Sequence, residues 1–153
     1  METLILIRHG NYDDTEDDNG PLTEAGREKI VRLVDKLKPL AGGRRLLILS
    51  SPSKRAQESA EILAAAFGIS FEKHKVLWSD ESHFEDMPAA LELVRRRQAE
   101  ADILILVTHR EYIADFPPYF FEQEFGIKIS WHIIGKGEAW VIDCERRTLL
   151  HIS

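Results

Sequence analysis

The chain has 153 residues, of which 44% are hydrophobic and 30% charged, and carries a formal net charge of −6. That length suits a single domain, residues 1–153, with a core of its own. The acidic balance argues against nucleic acid as a partner, and a lone cysteine, Cys144, excludes an internal disulfide framework.

No apolar stretch approaches the roughly 20 residues of a membrane span. No basic region followed by an apolar run opens the chain. The expectation is a cytoplasmic protein with no membrane or nucleic-acid partner.

The first element is the apolar run Leu4-Ile5-Leu6-Ile7, short and rich in β-branched residues, which reads as a buried strand. Arg8, His9 and Gly10 follow without a break. Asn11 to Pro21 is a loop rich in turn formers and acids, without the spaced ligands of a calcium loop. Thr23 is the expected N-cap of a helix carrying Ile30, Leu33, Val34 and Leu37 at helical spacing and ending by Pro39. Leu46 to Leu49 is a second buried strand. Ser51 as N-cap with Pro52 at the first helical position opens a helix that Gly68 stops.

Phe71 to Leu77 reads as a weaker strand at an edge, and Trp78 to Asp86 as irregular. A helix from Met87 closes on Arg95-Arg96-Arg97, cations that suit its dipole. Ile103 to Val107 is the third strongly apolar strand, followed directly by Thr108-His109-Arg110. Pro117-Pro118 is expected to break the next helix, and Phe116, Tyr119, Phe120, Phe121 and Phe125 are read as packing. Lys128 to Ile134, Glu138 to Asp143 and Leu149 to Ile152 read as strands, with turns at Gly135-Lys136-Gly137 and Arg146-Arg147. Alternating strands and helices predict an α/β fold: a three-layer sandwich with a mostly parallel central sheet, helices on both faces and an antiparallel edge.

Three strands therefore deliver polar groups past their C-terminal ends: Arg8 and His9, then Ser51 and Arg55, then Thr108 and His109. Parallel neighbours bring such groups into one crevice. Two guanidinium forks among them match phosphoryl oxygens. A metal site is the rival reading, but fixed cations beside the histidines repel a divalent ion, and no His-x-x-x-His spacing occurs. A neutral histidine can attack phosphorus, and flanking arginines oppose its protonation. The leaving oxygen needs an acid. Asp80, Glu81, Glu85 and Asp86 lie in the irregular stretch where such a group can hang.

The ordered set Arg8-His9-Gly10, Leu22-Thr23-Glu24-Ala25-Gly26, Ser51 to Ala60 and Val107-Thr108-His109 resembles the histidine phosphatase superfamily, related to phosphoglycerate mutases. Gly137 to Ile142 is similar to that family's last strand. The resemblance implies that His9 is the phosphorylated nucleophile and that Arg8, Arg55 and His109 form the phosphate pocket; no cofactor or metal is expected, given the cations beside the histidines. The short chain resembles the small phosphohistidine phosphatases of the family. Their pattern places a carboxyl donor shortly after the strand read at Phe71 to Leu77, where a direct count from Val76 and Leu77 lands near Ser79; Asp80 or Glu81 takes the role with a shift of one or two residues. Arg110 stands where the family often has glycine. The implied activity is hydrolysis of a phosphorylated small molecule or a phosphohistidine protein. The alternatives are a phosphate-binding or protein-interaction module of the same fold without turnover and, less favoured for want of an added segment, a phosphoglycerate mutase-type phosphotransferase.

Overall fold

The computed structural model describes residues 1–15 and 17–153; Glu16, in the acidic loop, lies outside them. Six strands form its sheet: β1 (Thr3–Arg8), β2 (Leu46–Ser50), β3 (Glu72–Lys73), β4 (Ile103–Thr108), β5 (Ala139–Asp143) and β6 (Thr148–Ile152). Their order across the sheet is β3-β2-β4-β1-β5-β6. β1, β2, β3 and β4 are parallel, and β5 and β6 add an antiparallel edge. The mixed α/β architecture expected from the sequence is the one observed.

The central strands are apolar throughout because both faces are covered. Side chains alternate along a strand. Ile5, Ile7, Ile48, Ile105 and Val107 pack beneath α1 (Glu24–Ala41) and α2 (Lys54–Phe67). Leu4, Leu6, Leu104 and Leu106 pack beneath α3 (Met87–Arg97) and α4 (Arg110–Phe120). Each such side chain, removed from water, stabilises the fold by about 1.5–3 kcal/mol. Register then sets the site. Ile7 pairs with Val107 and Val107 with Ser50, so the C-terminal ends of three adjacent strands lie level. No helix among the described residues is long and apolar enough to cross a membrane.

Local chemistry explains most element boundaries. Thr23 caps α1 by accepting the Gly26 N–H, as expected. Gly68 ends α2 in the left-handed conformation, at φ 68°. Phe116, Phe120 and Phe121 are buried, in keeping with a packing role.

Five boundaries differ from expectation. The cap of α2 is Ser53, whose hydroxyl accepts the Ala56 N–H. Ser51 instead donates its N–H to Val107 and so continues the sheet ladder. α1 runs past Pro39 to Ala41, because a proline in the last turn forfeits only one helical bond. α4 continues through Pro117-Pro118 into a π turn at Phe121–Phe125, held down by the burial of Phe116, Pro117 and Phe120. The strand expected at Phe71–Leu77 shrinks to Glu72–Lys73 at the sheet edge, where a 3-10 turn at Lys75–Leu77 takes over. Residues 128–134 form no strand; β5 already occupies the edge of β1 that they would need.

Candidate active site

The chain leaves β1 at Arg8 and crosses over the N-terminal end of α1. The crossing is tight: a Cβ on Gly26 would stand 2.2 Å from the Asn11 carbonyl oxygen. Gly10 donates its N–H to Ser59 Oγ on α2. Leu22 donates its N–H to Glu58, which also takes Arg27 at 3.1 Å. The residues of the Leu22–Gly26 stretch thus clamp the turn after β1 to two helices. On the other side, the Gly137 N–H reaches the carbonyls of both Arg8 and His9. Gly137 has φ 73°, and a Cβ there would press on Lys29.

His9 is 4% exposed. Its Nδ1 lies 2.9 Å from the Gly10 carbonyl, which can only accept, so the ring proton resides on Nδ1. Nε2 is left with its lone pair facing Arg55, whose Nε donates to it at 3.3 Å. Burial is the main force lowering the His9 pKa, to about 3. The Gly10 hydrogen bond opposes the fall, and Arg55, Arg8 and Lys136 add to it. The arginines expected to keep this imidazole neutral do act in that direction, behind burial.

Arg55 occupies the first turn of α2 and is 4% exposed. Its Nη2 bonds His109 Nδ1 at 3.3 Å, so one guanidinium spans both histidines. Its Nη1 donates to the Asp18 carbonyl, and its plane covers the Tyr12 ring at 4.5 Å. His109 sits at the N-cap position of α4. Its Nδ1 accepts from Arg55, so Nε2 donates, 2.8 Å from Ser51 Oγ. Burial pushes its pKa well down, with His9 and Arg55 adding to the effect. The two imidazoles lie 5.0 Å apart, centre to centre.

Arg8 is half-buried and donates from Nη1 to the Ile134 carbonyl at 2.8 Å. Its Nε is buried without a hydrogen-bond partner among the described residues. Burial and the neighbouring Arg110 lower its pKa.

The cavity over these groups has a volume of roughly 240 Å³ and is lined also by Tyr12, Ser79, Asp80, Glu81, Arg110, Glu111 and Lys136. The structure therefore brings Arg8, His9, Arg55 and His109 together. Asp80 joins them, with Oδ2 at 3.8 Å from Arg55 Nη2. Burial acts to raise its pKa but is outweighed by hydrogen bonds from His83, Ser82 and Trp78, which hold it at about 2. Glu81 lines the rim and is exposed. Asp86 is spent as the N-cap of α3, and Glu85 lines neither this cavity nor the one beside it.

Sequence reasoning missed Lys136, whose ammonium stands 5.3 Å from the Tyr12 ring centre, and Glu111, which accepts the Ser79 hydroxyl at 2.8 Å. Two signals were available. Lys136 lies between the glycines that close the turn, and Glu111 lies two residues beyond His109.

A neutral imidazole whose Nε2 lone pair faces a guanidinium at the floor of a cavity lined by further cations can accept a phosphoryl group and hold its charge. The family model of the histidine phosphatase superfamily (branch 1) matches residues 4–88, more than half of the chain. The chain belongs to that superfamily. Among solved structures, it resembles the protein histidine phosphatase SixA complexed with tungstate, at 17% identity and a TM-score of 0.75 over 99% of this chain and 96% of that one. It is also similar to a mycobacterial glucosyl-3-phosphoglycerate phosphatase, at 16% identity and a TM-score of 0.71 over 99% and 97% of the two chains. At such identities the likeness is one of fold. No curated protein matches the chain in sequence.

Proposed function

We propose that this protein is a phosphatase that passes a phosphoryl group from a phosphomonoester, or from phosphohistidine on a protein, first to His9 and then to water. The observation that carries this reading is the setting of His9. It is a buried, neutral imidazole with its proton fixed on Nδ1, and its Nε2 is aimed at the cation that bridges to His109.

In the first step, the Nε2 lone pair forms a bond to phosphorus as the bond from phosphorus to the leaving group breaks. Arg55 exchanges its 3.3 Å contacts with the two imidazoles for phosphoryl oxygens. Arg8 Nε and Lys136 supply further positive charge. His109, its Nε2 proton engaged by Ser51, offers Nδ1 toward the same oxygens as a hydrogen-bond acceptor. In the second step, water attacks phosphorus, His9 leaves as neutral imidazole, and orthophosphate departs. The cations of the pocket supply the charge stabilisation that a metal provides elsewhere.

Both substrate classes occur among proteins of this fold: SixA is a protein histidine phosphatase, and the mycobacterial protein is a glucosyl-3-phosphoglycerate phosphatase. The SixA structure holds tungstate, and the mycobacterial phosphatase has been solved with inorganic phosphate. Such oxyanions suit the pocket described here.

The test is orthophosphate release from p-nitrophenyl phosphate in the presence of a chelator. The wild-type protein is expected to turn over repeatedly, and His9→Ala to lose about four orders of magnitude or more. Tight vanadate binding without turnover would instead establish a phosphate-binding module.

A further inference from the structure

We propose that Glu111, from the first turn of α4, is the carboxyl group that hands a proton to the leaving oxygen. This inference rests on the phosphatase reading above and assigns the acid which that reading needs.

Three carboxyl groups line the cavity that holds His9: Asp80, Glu81 and Glu111. A proton donor must have an oxygen free to carry the proton and a fixed position over the reacting bond. Asp80 lacks the free oxygen. Its Oδ1 accepts from the Ser82 N–H, the His83 N–H and the His83 ring, and its Oδ2 from the Trp78 indole at 2.7 Å. Every one of these bonds favours the carboxylate. It serves instead to fasten the Trp78 and His83 rings, stacked at 4.0 Å, beside the site.

Glu81 lacks the fixed position. It is exposed and forms no side-chain hydrogen bond among the described residues.

Glu111 has a free oxygen and a fixed position on the wall of the cavity that holds His9. Its Oε2 accepts the hydroxyl of Ser79, a side chain 1% exposed, at 2.8 Å. Its Oε1 is engaged by nothing among the described residues. Its backbone follows two residues behind His109, on the helix that the same strand end launches. It also lies within electrostatic reach of Arg8. Ser79 is the residue on which the sequence count for the donor falls. The structure fills that place with a serine that holds a carboxyl group arriving from the first turn of α4.

The proton balance closes without a further reactant. A substrate bound as its monoanion gives its proton to Glu111 and becomes the dianion. A dianion beside a carboxyl group favours the protonated acid. As Nε2 of His9 bonds to phosphorus and the ester bond breaks, Glu111 protonates the departing alkoxide. Its carboxylate then takes a proton from the water that attacks the phosphohistidine.

The experiment compares two esters in the full-length protein: p-nitrophenyl phosphate, whose leaving group departs unaided, and glycerol 2-phosphate, whose alkoxide needs the proton. Glu111→Gln is expected to lower kcat/KM for glycerol 2-phosphate by about 10²-fold. It should change that for p-nitrophenyl phosphate by less than about 3-fold and abolish the basic limb of the alkyl ester's pH profile. Glu111→Asp should restore part of the alkyl activity. Vanadate affinity and circular dichroism identify a variant that merely misfolds. In that event Ser79→Ala, which frees the carboxyl group without removing it, is expected to show the same selectivity in weaker form. Equal losses on both esters, or a selective loss in Asp80→Asn or Glu81→Gln with none in Glu111→Gln, would overturn the assignment. Failure of the phosphatase reading looks different: the wild-type protein would then hydrolyse neither ester.

Discussion

The two sides of the cleft are made of different material. Toward the sheet, His9, Arg55 and His109 each stand directly after an apolar strand or in the first turn of a helix, and none is more than 4% exposed. Strand register and helix capping fix their backbones, and hydrogen bonds to one another and to Gly10 and Ser51 fix their rings. Toward solvent, the walls are the irregular Trp78–Asp86 segment and the acidic loop. They enclose a second cavity of roughly 370 Å³ lined by Asp14, Asp18, Asp80 and Glu81. In the proposed reaction the buried side holds what every phosphoryl group has in common, and the exposed side meets the leaving group, which varies. Substitutions of His9, Arg55 and His109 should therefore injure all substrates alike, and those of groups that face the leaving oxygen, Glu111 among them, should discriminate.

The largest effect belongs to the buried side. Arg55→Ala is expected to lower kcat/KM on any phosphate ester by about 10²–10³-fold, the cost of removing one preorganised donor from the developing charge. Arg55→Lys should recover little, because an ammonium cannot span two imidazoles and a phosphoryl group as a planar fork does. Substrate-selective loss in either variant would erase the distinction between the two sides.

The same burial sets a pH dependence of stability. Folded His9 binds a proton only near pH 3, whereas the unfolded chain takes one near 6.5. Between those values the unfolded state holds more protons, so stability rises with pH and is lost as pH falls from about 6.5 toward 3. The slope from this one group reaches about 1.4 kcal/mol per pH unit. Urea unfolding at pH 5, 6 and 7 measures the total slope, to which His109 adds in the same direction, and His9→Asn should reduce it by the share of one group. An unchanged slope would mean that the ring is not held neutral by the fold.

On the exposed side, Asp80→Asn should cost only a few-fold in kcat/KM, through loosening of the Trp78–His83 stack. A carboxylate held at about pKa 2 has no ionisation to lose in an assay above pH 4, so the acid limb should stay in place. The smallest effect is electrostatic steering. Asp14→Asn with Asp18→Asn is expected to lower KM for a polyanionic phosphate about 2–5-fold at low ionic strength, the difference fading in high salt.

The same contrast explains what the sequence disclosed. Leu4–Ile7, Leu46–Leu49 and Ile103–Val107 announced buried strands because apolar continuity is a local property. The residues just past their ends announced a common crevice because parallel topology leaves few alternatives. Thr23 and Gly68 act through their own backbones and were legible for that reason. Ser51 was misread as a cap because its partner, the Val107 carbonyl, lies on another strand. Residues 128–134 were misread as a strand because their β-branched content does not reveal that β5 has taken the free edge. Glu111 was overlooked because its place in the cleft depends on Ser79, and Lys136 because its place depends on Tyr12 and on the bonds from the Gly137 N–H to the Arg8 and His9 carbonyls, all of them distant in sequence.

The central claim is that phosphorus becomes bonded to His9. Rapid mixing with phosphorus-labelled p-nitrophenyl phosphate, quenched in alkali and followed by peptide mapping, tests it directly. The account predicts a label that survives base, is released by acid, resides on the peptide containing His9 and forms no more slowly than the enzyme turns over. Turnover without any label on that peptide, or a label carried by another residue, would contradict it.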